Sequence, residues 1–172
     1  KTAIDVLVEV LEDLQQEPMV RHEAGEALGA LGYPEAIDVL TKYKSDPTVE
    51  VAETCEIALD RIKWLSSSKD EENQITPSVY TSVDPAPPSL NKDVSQLESI
   101  LTDEKATLFE RYRAMFALRN LHTPESVAAL GRALKCGSAL FKHEIAFVLG
   151  QMQDVGSVRY LIESLKDTSE NE

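Results

Sequence analysis

An internal repeat limits the folds open to this 172-residue chain. Four segments align without gaps, at successive offsets of 30, 60 and 31 residues: 21–31 (RHEAGEALGAL), 51–61 (VAETCEIALDR), 111–121 (RYRAMFALRNL) and 142–152 (KHEIAFVLGQM). Mostly apolar residues recur within them at spacings of three, four and seven, which mark one face of an α-helix. Two aligned columns are Ala24, Thr54, Ala114, Ile145 and Leu28, Ala58, Leu118, Leu149. We predict that each segment is the first helix of a repeated unit.

A second set of apolar segments completes the unit. It consists of Ala3-Ile4-x-x-Leu7, Ala36-Ile37-x-x-Leu40, Ser126-Val127-x-x-Leu130 and Ser157-Val158-x-x-Leu161. Pro34 and Pro124 stand where a second helix would begin, a position that needs no N–H donor. A helix-turn-helix unit of 30 to 31 residues cannot bury its apolar face alone and stacks on its neighbours. With strand patterns absent, the sequence predicts an all-α fold, a right-handed HEAT-type α-α superhelix.

The period is interrupted at residues 66–92, which open with three serines, continue with a charged run and end near Asp-Pro-Ala-Pro-Pro. Several prolines and low hydrophobicity predict an exposed, partly extended linker. We therefore divide the chain into the end of an N-terminal HEAT-repeat half (1–65), a Pro-rich linker (66–92) and the start of a C-terminal half (93–172). The alternative is a long loop inside one continuous stack.

The phase of the repeat leads us to expect a longer parent protein. Residues 1–14 resemble a second helix that lacks its first helix, and residues 155–167 resemble one that leads into a further unit. The first residue, Lys1, is not methionine and lies within an apolar-periodic stretch. We expect the chain to be an internal fragment with repeats on both sides.

Charge and cysteine content narrow the functional class. The 17 Lys and Arg against 30 Asp and Glu give a net charge of −13, which argues against nucleic-acid binding and favours a cationic partner. No apolar run is long enough to span a membrane, and no secretory leader is visible, so we expect a soluble, cytoplasmic protein. Cys55 and Cys136 have no C-x-x-C partner, and both are expected to be buried apolar residues.

Two of the three histidines precede a glutamate, and both pairs occupy the same position of the repeat. They are His22-Glu23 and His143-Glu144. Because successive helical side chains point about 100° apart, the two members of a pair do not converge on one ion, unlike the zinc motif H-E-x-x-H. Several such helices would have to face one another to complete a metal site. Imidazole and carboxylate without thiolate suit Fe(II) or Mn(II), and zinc is less suited. The alternative is a surface or helix-pairing role.

Extended runs of the sequence carry a family resemblance. They are EPMVRHEAGEALGALG (17–32), DPTVEVAETCEIALDRIKWL (46–65), SVDPAPP (82–88), LFERYRAMFALRN (108–120) and CGSALFKHEIAFVLGQMQD (136–154). These runs closely resemble eukaryotic deoxyhypusine hydroxylase, and the resemblance covers nearly the whole chain. That family is a HEAT-repeat di-iron monooxygenase with four His-Glu motifs. The chain resembles its middle, with the second and third motifs and without the first and fourth.

The resemblance implies specific roles. His22, His143 and Glu144 would ligate iron, and Glu23 would contact the amine of the substrate; no catalytic residue beyond the metal centre is implied. The implied cofactor is two Fe(II) per complete protein. The implied reaction is the O2-dependent hydroxylation of a deoxyhypusine side chain on a eukaryotic translation initiation factor, the last step of hypusine formation. With two of four motifs, these residues alone are expected to fold but to hold iron poorly and be inactive.

Two other classes compete with this hypothesis. A HEAT solenoid can be a non-catalytic scaffold that binds proteins on its concave surface, and HEAT-like bilin lyases share the repeat. Neither explains two His-Glu pairs in equivalent positions. Among the remaining residues, we expect the methionines and Phe116, Phe147 and Trp64 to fill the core. His122 is expected at a solvated helix end, and Tyr112 in packing.

Overall fold

The computed structural model describes residues 2–67 and 78–169. Within these ranges the regular secondary structure is helical, and no strand occurs. This confirms the predicted all-α class. The helices are α1 (Ala3–Glu12), α2 (Pro18–Leu31), α3 (Ile37–Tyr43), α4 (Val49–Ser67), α5 (Val94–Thr102), α6 (Leu108–Leu121), α7 (Pro124–Ala133), α8 (Ala139–Met152) and α9 (Val158–Leu165). Single 3-10 turns, Pro34–Ala36 and Val155–Ser157, precede α3 and α9. No helix in the described ranges has the length and apolar character of a membrane span.

The described residues form two compact units. Unit 1 comprises residues 2–67 and 83–86, and unit 2 comprises residues 78–82 and 87–169. In unit 1, α2 packs against α1 and α4, and α3 packs against α4. In unit 2, α6 packs against α5, α7 and α8, and α7 also contacts α5 and α8. The first helices of neighbouring repeats, α2 with α4 and α6 with α8, are therefore in contact within each unit.

Local sequence signals set the helix ends. At α6, the Thr107 hydroxyl accepts from the backbone N–H of Glu110, whose carboxylate accepts in return from the Thr107 N–H. The same reciprocal capping box, formed by Thr2 and Asp5, begins α1. Such caps satisfy N–H groups that have no partner within the helix. Pro124 is the first residue of α7, as its position before the apolar run predicted.

The helix faces predicted from the repeat are the faces that pack. All eight residues of the two aligned columns are buried: Ala24, Leu28, Thr54, Ala58, Ala114, Leu118, Ile145 and Leu149. Residues three, four and seven apart share one side of a helix, so this side is buried against the next helix of the repeat. In contrast, α9 contains no buried residue, although its apolar residues follow the same periodicity.

Several expectations about exposure were wrong. Met19 and Phe147 are about half exposed, whereas Trp64, Met115, Phe116 and Met152 are buried. Phe147 lies two residues from both Ile145 and Leu149, and residues two apart on a helix point to different sides. Since Ile145 and Leu149 face the core, Phe147 faces away from it. Cys136 is only half-buried, in contrast to the fully buried Cys55.

The predicted linker differs from expectation at both ends. Helix α4 extends through Ser66 and Ser67, whose hydroxyls donate to the carbonyls of Ile62 and Lys63 and so support a further half-turn of helix. Near the other end, Ala86 and Pro87 are buried rather than exposed. Residues 78–92 otherwise contain no helix, as predicted. The charged run at residues 69–72 lies outside the described residues.

Candidate functional site

The His22 side chain is held in one orientation within unit 1. It lies on α2, is 5% exposed, and its Nδ1 is 2.5 Å from the Thr54 hydroxyl oxygen on α4. The Thr54 hydroxyl donates its proton to the Glu50 carbonyl at 2.7 Å. Since a hydroxyl has one proton, Thr54 Oγ1 accepts from Nδ1–H of His22. This network assigns the proton of the neutral ring to Nδ1, so that Nε2 carries the lone pair with which an imidazole ligates a metal.

Two glycines of α2 allow Thr54 to come this close. A Cβ atom at Gly29 would lie 2.7 Å from Ala58 Cβ, and one at Gly25 would lie 3.1 Å from Thr54 Cγ2. Contacts under 3.0 Å are not tolerated between carbon atoms, so α4 could not pack at this distance against alanine at position 29. The pair Gly25 and Gly29, one turn apart, thus sets the separation of α2 and α4 on which the hydrogen bond between His22 and Thr54 depends.

Two carboxylates accompany His22 on α2. Glu26 Oε2 lies 3.7 Å from His22 Nε2, as expected for residues four apart on a helix. Burial raises the pKa of Glu26, and the charge of exposed Glu23 raises it further. The two acidic groups therefore repel each other at neutral pH. A cation placed between them would relieve this repulsion, which makes this part of α2 suited to an ammonium group or a metal ion.

The second His-Glu pair lies in unit 2, on α8. Ser138 caps this helix by accepting from the Phe141 backbone N–H, and the buried Phe141 ring contacts the Tyr112 ring of α6 at 5.5 Å between centroids. These contacts fix the first turns of α8. His143 is exposed and Glu144 is half-buried and takes part in a further polar contact. The burial order is thus the reverse of that in the first pair, where the histidine is buried and Glu23 is exposed.

The predicted ligands are divided between the units: His22 belongs to unit 1, and His143 and Glu144 belong to unit 2. Among the described residues, no group of three or more His, Cys, Asp or Glu side chains could hold a metal ion. In donor type the residues fit Fe(II), because imidazole nitrogen and carboxylate oxygen are present without thiolate. In number, each unit alone supplies less than a complete ligand set. The assignment of these residues as ligands remains a prediction.

Two residues of the His22 environment were not predicted from the sequence. Thr54 stands in an aligned column otherwise occupied by Ala24, Ala114 and Ile145, so a polar residue in an apolar column was the available signal. Glu26 stands four residues after His22, the spacing at which helical side chains meet. Both signals indicate a neighbour for the histidine, but neither specifies which ring nitrogen it contacts.

On α6 of unit 2, Tyr112 and Arg113 occupy the repeat positions that hold a His-Glu pair on α2 and α8. Tyr112, at the position of the histidine, is buried and packs edge-on against Phe116 with 6.2 Å between centroids. This agrees with the expected packing role. The next residue, Arg113, donates from Nε to the Pro87 carbonyl at 3.3 Å. His122 is exposed in the left-handed conformation at the C-terminus of α6, as expected for a solvated helix end.

Comparison with known families and proteins gives a consistent result. A family model of HEAT repeats matches residues 1–60, and a model of the PBS lyase HEAT-like repeat matches residues 110–136. The chain is 55% identical over 172 residues to deoxyhypusine hydroxylase of Drosophila pseudoobscura pseudoobscura, a match over 99% of this chain and 56% of the relative. It is 56% identical over 171 residues to the Gallus gallus protein of that name, with the same two coverages.

A solved structure agrees with these matches. The structure of human deoxyhypusine hydroxylase in complex with glycerol superimposes with a TM-score of 0.90 at 53% identity, and covers 98% of this chain and 58% of the human chain. The HEAT architecture is therefore confirmed. The chain spans about 56% of the length of the curated relatives that it matches.

Proposed function

From the homology of this chain to the deoxyhypusine hydroxylases, we propose that the protein to which it belongs hydroxylates a deoxyhypusine side chain. The substrate is carried by a eukaryotic translation initiation factor, the product is hypusine, and the oxidant is O2. The observation that carries this proposal is identity of 53% to 56% over nearly the entire chain, in a segment that contains both His-Glu pairs. A cytoplasmic location, where the translation factor is made, belongs to the same proposal.

The metal ligands proposed here are those that the resemblance to the hydroxylase family implies, and their donor types suit iron. His22, through Nε2, and His143 with Glu144 would hold iron, and the remaining ligands would come from other parts of the complete protein. When bound, a pair of Fe(II) ions supplies the O2 activation needed to insert one oxygen atom into a C–H bond, with external electrons reducing the other to water. The contribution of Thr54 is to keep the proton on Nδ1, so that the lone pair of the neutral His22 ring lies on Nε2.

Substrate recognition in this proposal depends on charge. The deoxyhypusine side chain is a polyamine-like cation, and Glu23 is exposed on α2 next to the partly buried Glu26. Glu23 would receive the substrate ammonium, and the proximity of Glu26 would add to its attraction. The overall charge of −13 also favours the approach of a cationic side chain.

Single histidine substitutions in the full-length protein test the ligand assignment. We expect His22→Ala and His143→Ala each to lower the iron content well below two per chain and to abolish hydroxylation. His122→Ala is the matched control, because His122 is exposed at a helix end. This variant should leave the iron content and the hydroxylation activity unchanged. Normal iron content in either of the first two variants would remove that histidine from the ligand set. An iron-free wild-type protein would instead support the scaffold hypothesis.

A further inference from the structure

Two arginines occupy equivalent positions in the two units. Arg21 begins the aligned segment of α2, and Arg111 begins that of α6, 90 residues later. Arg21 Nε donates to the Leu11 carbonyl at 2.9 Å, and Arg111 Nε donates to the Leu101 carbonyl at 3.0 Å. Both side chains are buried. Each guanidinium group is therefore anchored in the same way, through the same atom, to the carbonyl ten residues before it.

The two guanidinium groups differ in the hydrogen bonding of Nη2. Arg21 Nη2 donates to Asp46 Oδ2 at 2.5 Å, and the two side chains are 5% and 1% exposed. Arg111 is 6% exposed, and its Nη2 is buried without a hydrogen-bond partner in the part of the chain that the structure describes. The residue 90 positions after Asp46 is Cys136. A thiol thus stands where the first unit has a carboxylate.

The turns that lead into the two residues share one hydrogen bond, but the next residue is Pro47 in unit 1 and Gly137, with φ of +87°, in unit 2. The Asp46 N–H donates to the Tyr43 carbonyl at 3.0 Å, and the Cys136 N–H donates to the Ala133 carbonyl, also at 3.0 Å. Arg111 Nη2 faces this turn, since it would lie 3.1 Å from a Cβ atom at the adjacent Gly137. The Phe141 ring, 3.9 Å from the Arg111 guanidinium carbon, offsets part of the cost of burying this charge. An aromatic ring is a far weaker hydrogen-bond acceptor than a carboxylate.

The two cysteines differ in accessibility. Cys55 is fully buried, and burial raises the pKa of its thiol to about 12, with a smaller contribution from Asp46. Cys136 is half-buried in the turn before α8. A dissolved oxidant can therefore reach Cys136 but not Cys55.

We propose that Cys136 is an oxidation site whose sulfinate form completes the Arg111 pairing in unit 2, as Asp46 does for Arg21 in unit 1. The oxidant is hydrogen peroxide. One peroxide converts the thiol to sulfenic acid and is reduced to water, and a second converts sulfenic to sulfinic acid and is likewise reduced to water. The sulfinic acid ionises, giving an anion with two oxygens on the atom next to Cβ. An aspartate carboxylate has the same arrangement, and the anion can accept from Nη2.

Peptide mass spectrometry after peroxide treatment of the full-length protein tests the chemistry. We expect two oxygen atoms to be added at Cys136 at peroxide concentrations that leave Cys55 unmodified. The methionine residues report nonspecific oxidation in the same digest. Oxidation of Cys136 no faster than that of a peptide containing residues 132–140 would overturn the proposal, because the folded environment would then contribute nothing.

Two variants test the pairing without oxidation. Cys136→Asp supplies the anion permanently, and Cys136→Asn has nearly the same shape without charge. We expect the unfolding temperature of the Asp variant to exceed that of the Asn variant by about 2–4 °C. Peroxide should raise the unfolding temperature of the wild type. It should not raise that of Cys136→Asn. Equal unfolding temperatures for the two variants would show that Arg111 does not use an anion at this position.

Discussion

His22 Nδ1 and Thr54 Oγ1 are 2.5 Å apart and join two helices that belong to successive repeats. The Thr54 proton is committed to the Glu50 carbonyl, so the bond has one direction, from the imidazole to the hydroxyl. A residue 32 positions away in the sequence thereby determines which nitrogen of the histidine carries the proton.

Thr54→Val in the full-length protein should weaken iron binding by about 10–100-fold, the usual effect of losing the hydrogen bond that orients a ligating histidine. Valine keeps the shape of threonine and removes the acceptor. Iron titration measures the affinity, and 15N NMR of the imidazole reports which nitrogen is protonated. Thr54→Ser is the control and should retain both properties. Unchanged affinity and tautomer in the valine variant would mean that Thr54 only packs.

Gly29→Ala should lower the free energy of unfolding by about 1–3 kcal/mol, the typical cost of overpacking. The added methyl carbon would lie 2.7 Å from Ala58 Cβ and 2.9 Å from Ala58 Cα, so the backbones of α2 and α4 must separate. Chemical denaturation measures the change. Gly150→Ala is the matched control: nothing lies within 4 Å of its added carbon, and it should stabilise by about 0.5–1 kcal/mol. Equal effects at both positions would refute the close-approach argument.

Asp46→Asn should cost about 1–3 kcal/mol in the free energy of unfolding and alter its pH dependence. Burial tends to raise the pKa of Asp46, but hydrogen bonds from Arg21 and Thr48 and the Arg21 charge together hold it below its usual value. The folded protein then binds fewer protons than the unfolded chain near pH 4. The stabilisation is present above the ordinary aspartate pKa and is lost as the pH falls through the lowered value.

Denaturation curves at several pH values measure this effect. The wild type should lose stability on acidification more than Asp46→Asn, so that the difference between them decreases at low pH. Glu98→Gln is the surface control, because Glu98 pairs with Arg132, whose side chain is 53% exposed. This substitution should lower the free energy of unfolding by no more than about 1 kcal/mol. A pH-independent difference between wild type and Asp46→Asn would contradict the lowered pKa.

Glu23→Gln should weaken binding of the proposed deoxyhypusine substrate by about tenfold or more and leave iron content unchanged. The substitution removes the exposed charge proposed to receive the substrate amine while keeping the length of the side chain. Substrate titration and elemental analysis measure the two quantities. Glu104→Gln changes the net charge equally at an exposed position of unit 2 and should have no such effect. Loss of iron in Glu23→Gln would refute its assignment to substrate rather than metal.

The periodic positions were predictable from the sequence because helical periodicity is local. Residues three and four apart must share a helix side wherever the chain folds, so the buried columns at Leu28 and Leu118 followed from their spacing. The common register of His22 and His143 was equally visible. Their use as ligands remains a prediction, because the two pairs lie in different units and the spacing of residues does not specify coordination.

The contacts across helices were decided only by the tertiary structure. The sequence contains Thr54 and Gly29, but their effect depends on how closely α4 packs against α2, a distance set by side-chain volume at the contact. Likewise, Cys136 and Phe147 read as core residues by type, yet their exposure depends on which side of the turn or helix meets a neighbour. The same holds for the equivalent arginines: sequence alone places Arg21 and Arg111 in one register, and only the packed structure pairs the first with Asp46 and leaves Nη2 of the second unpaired.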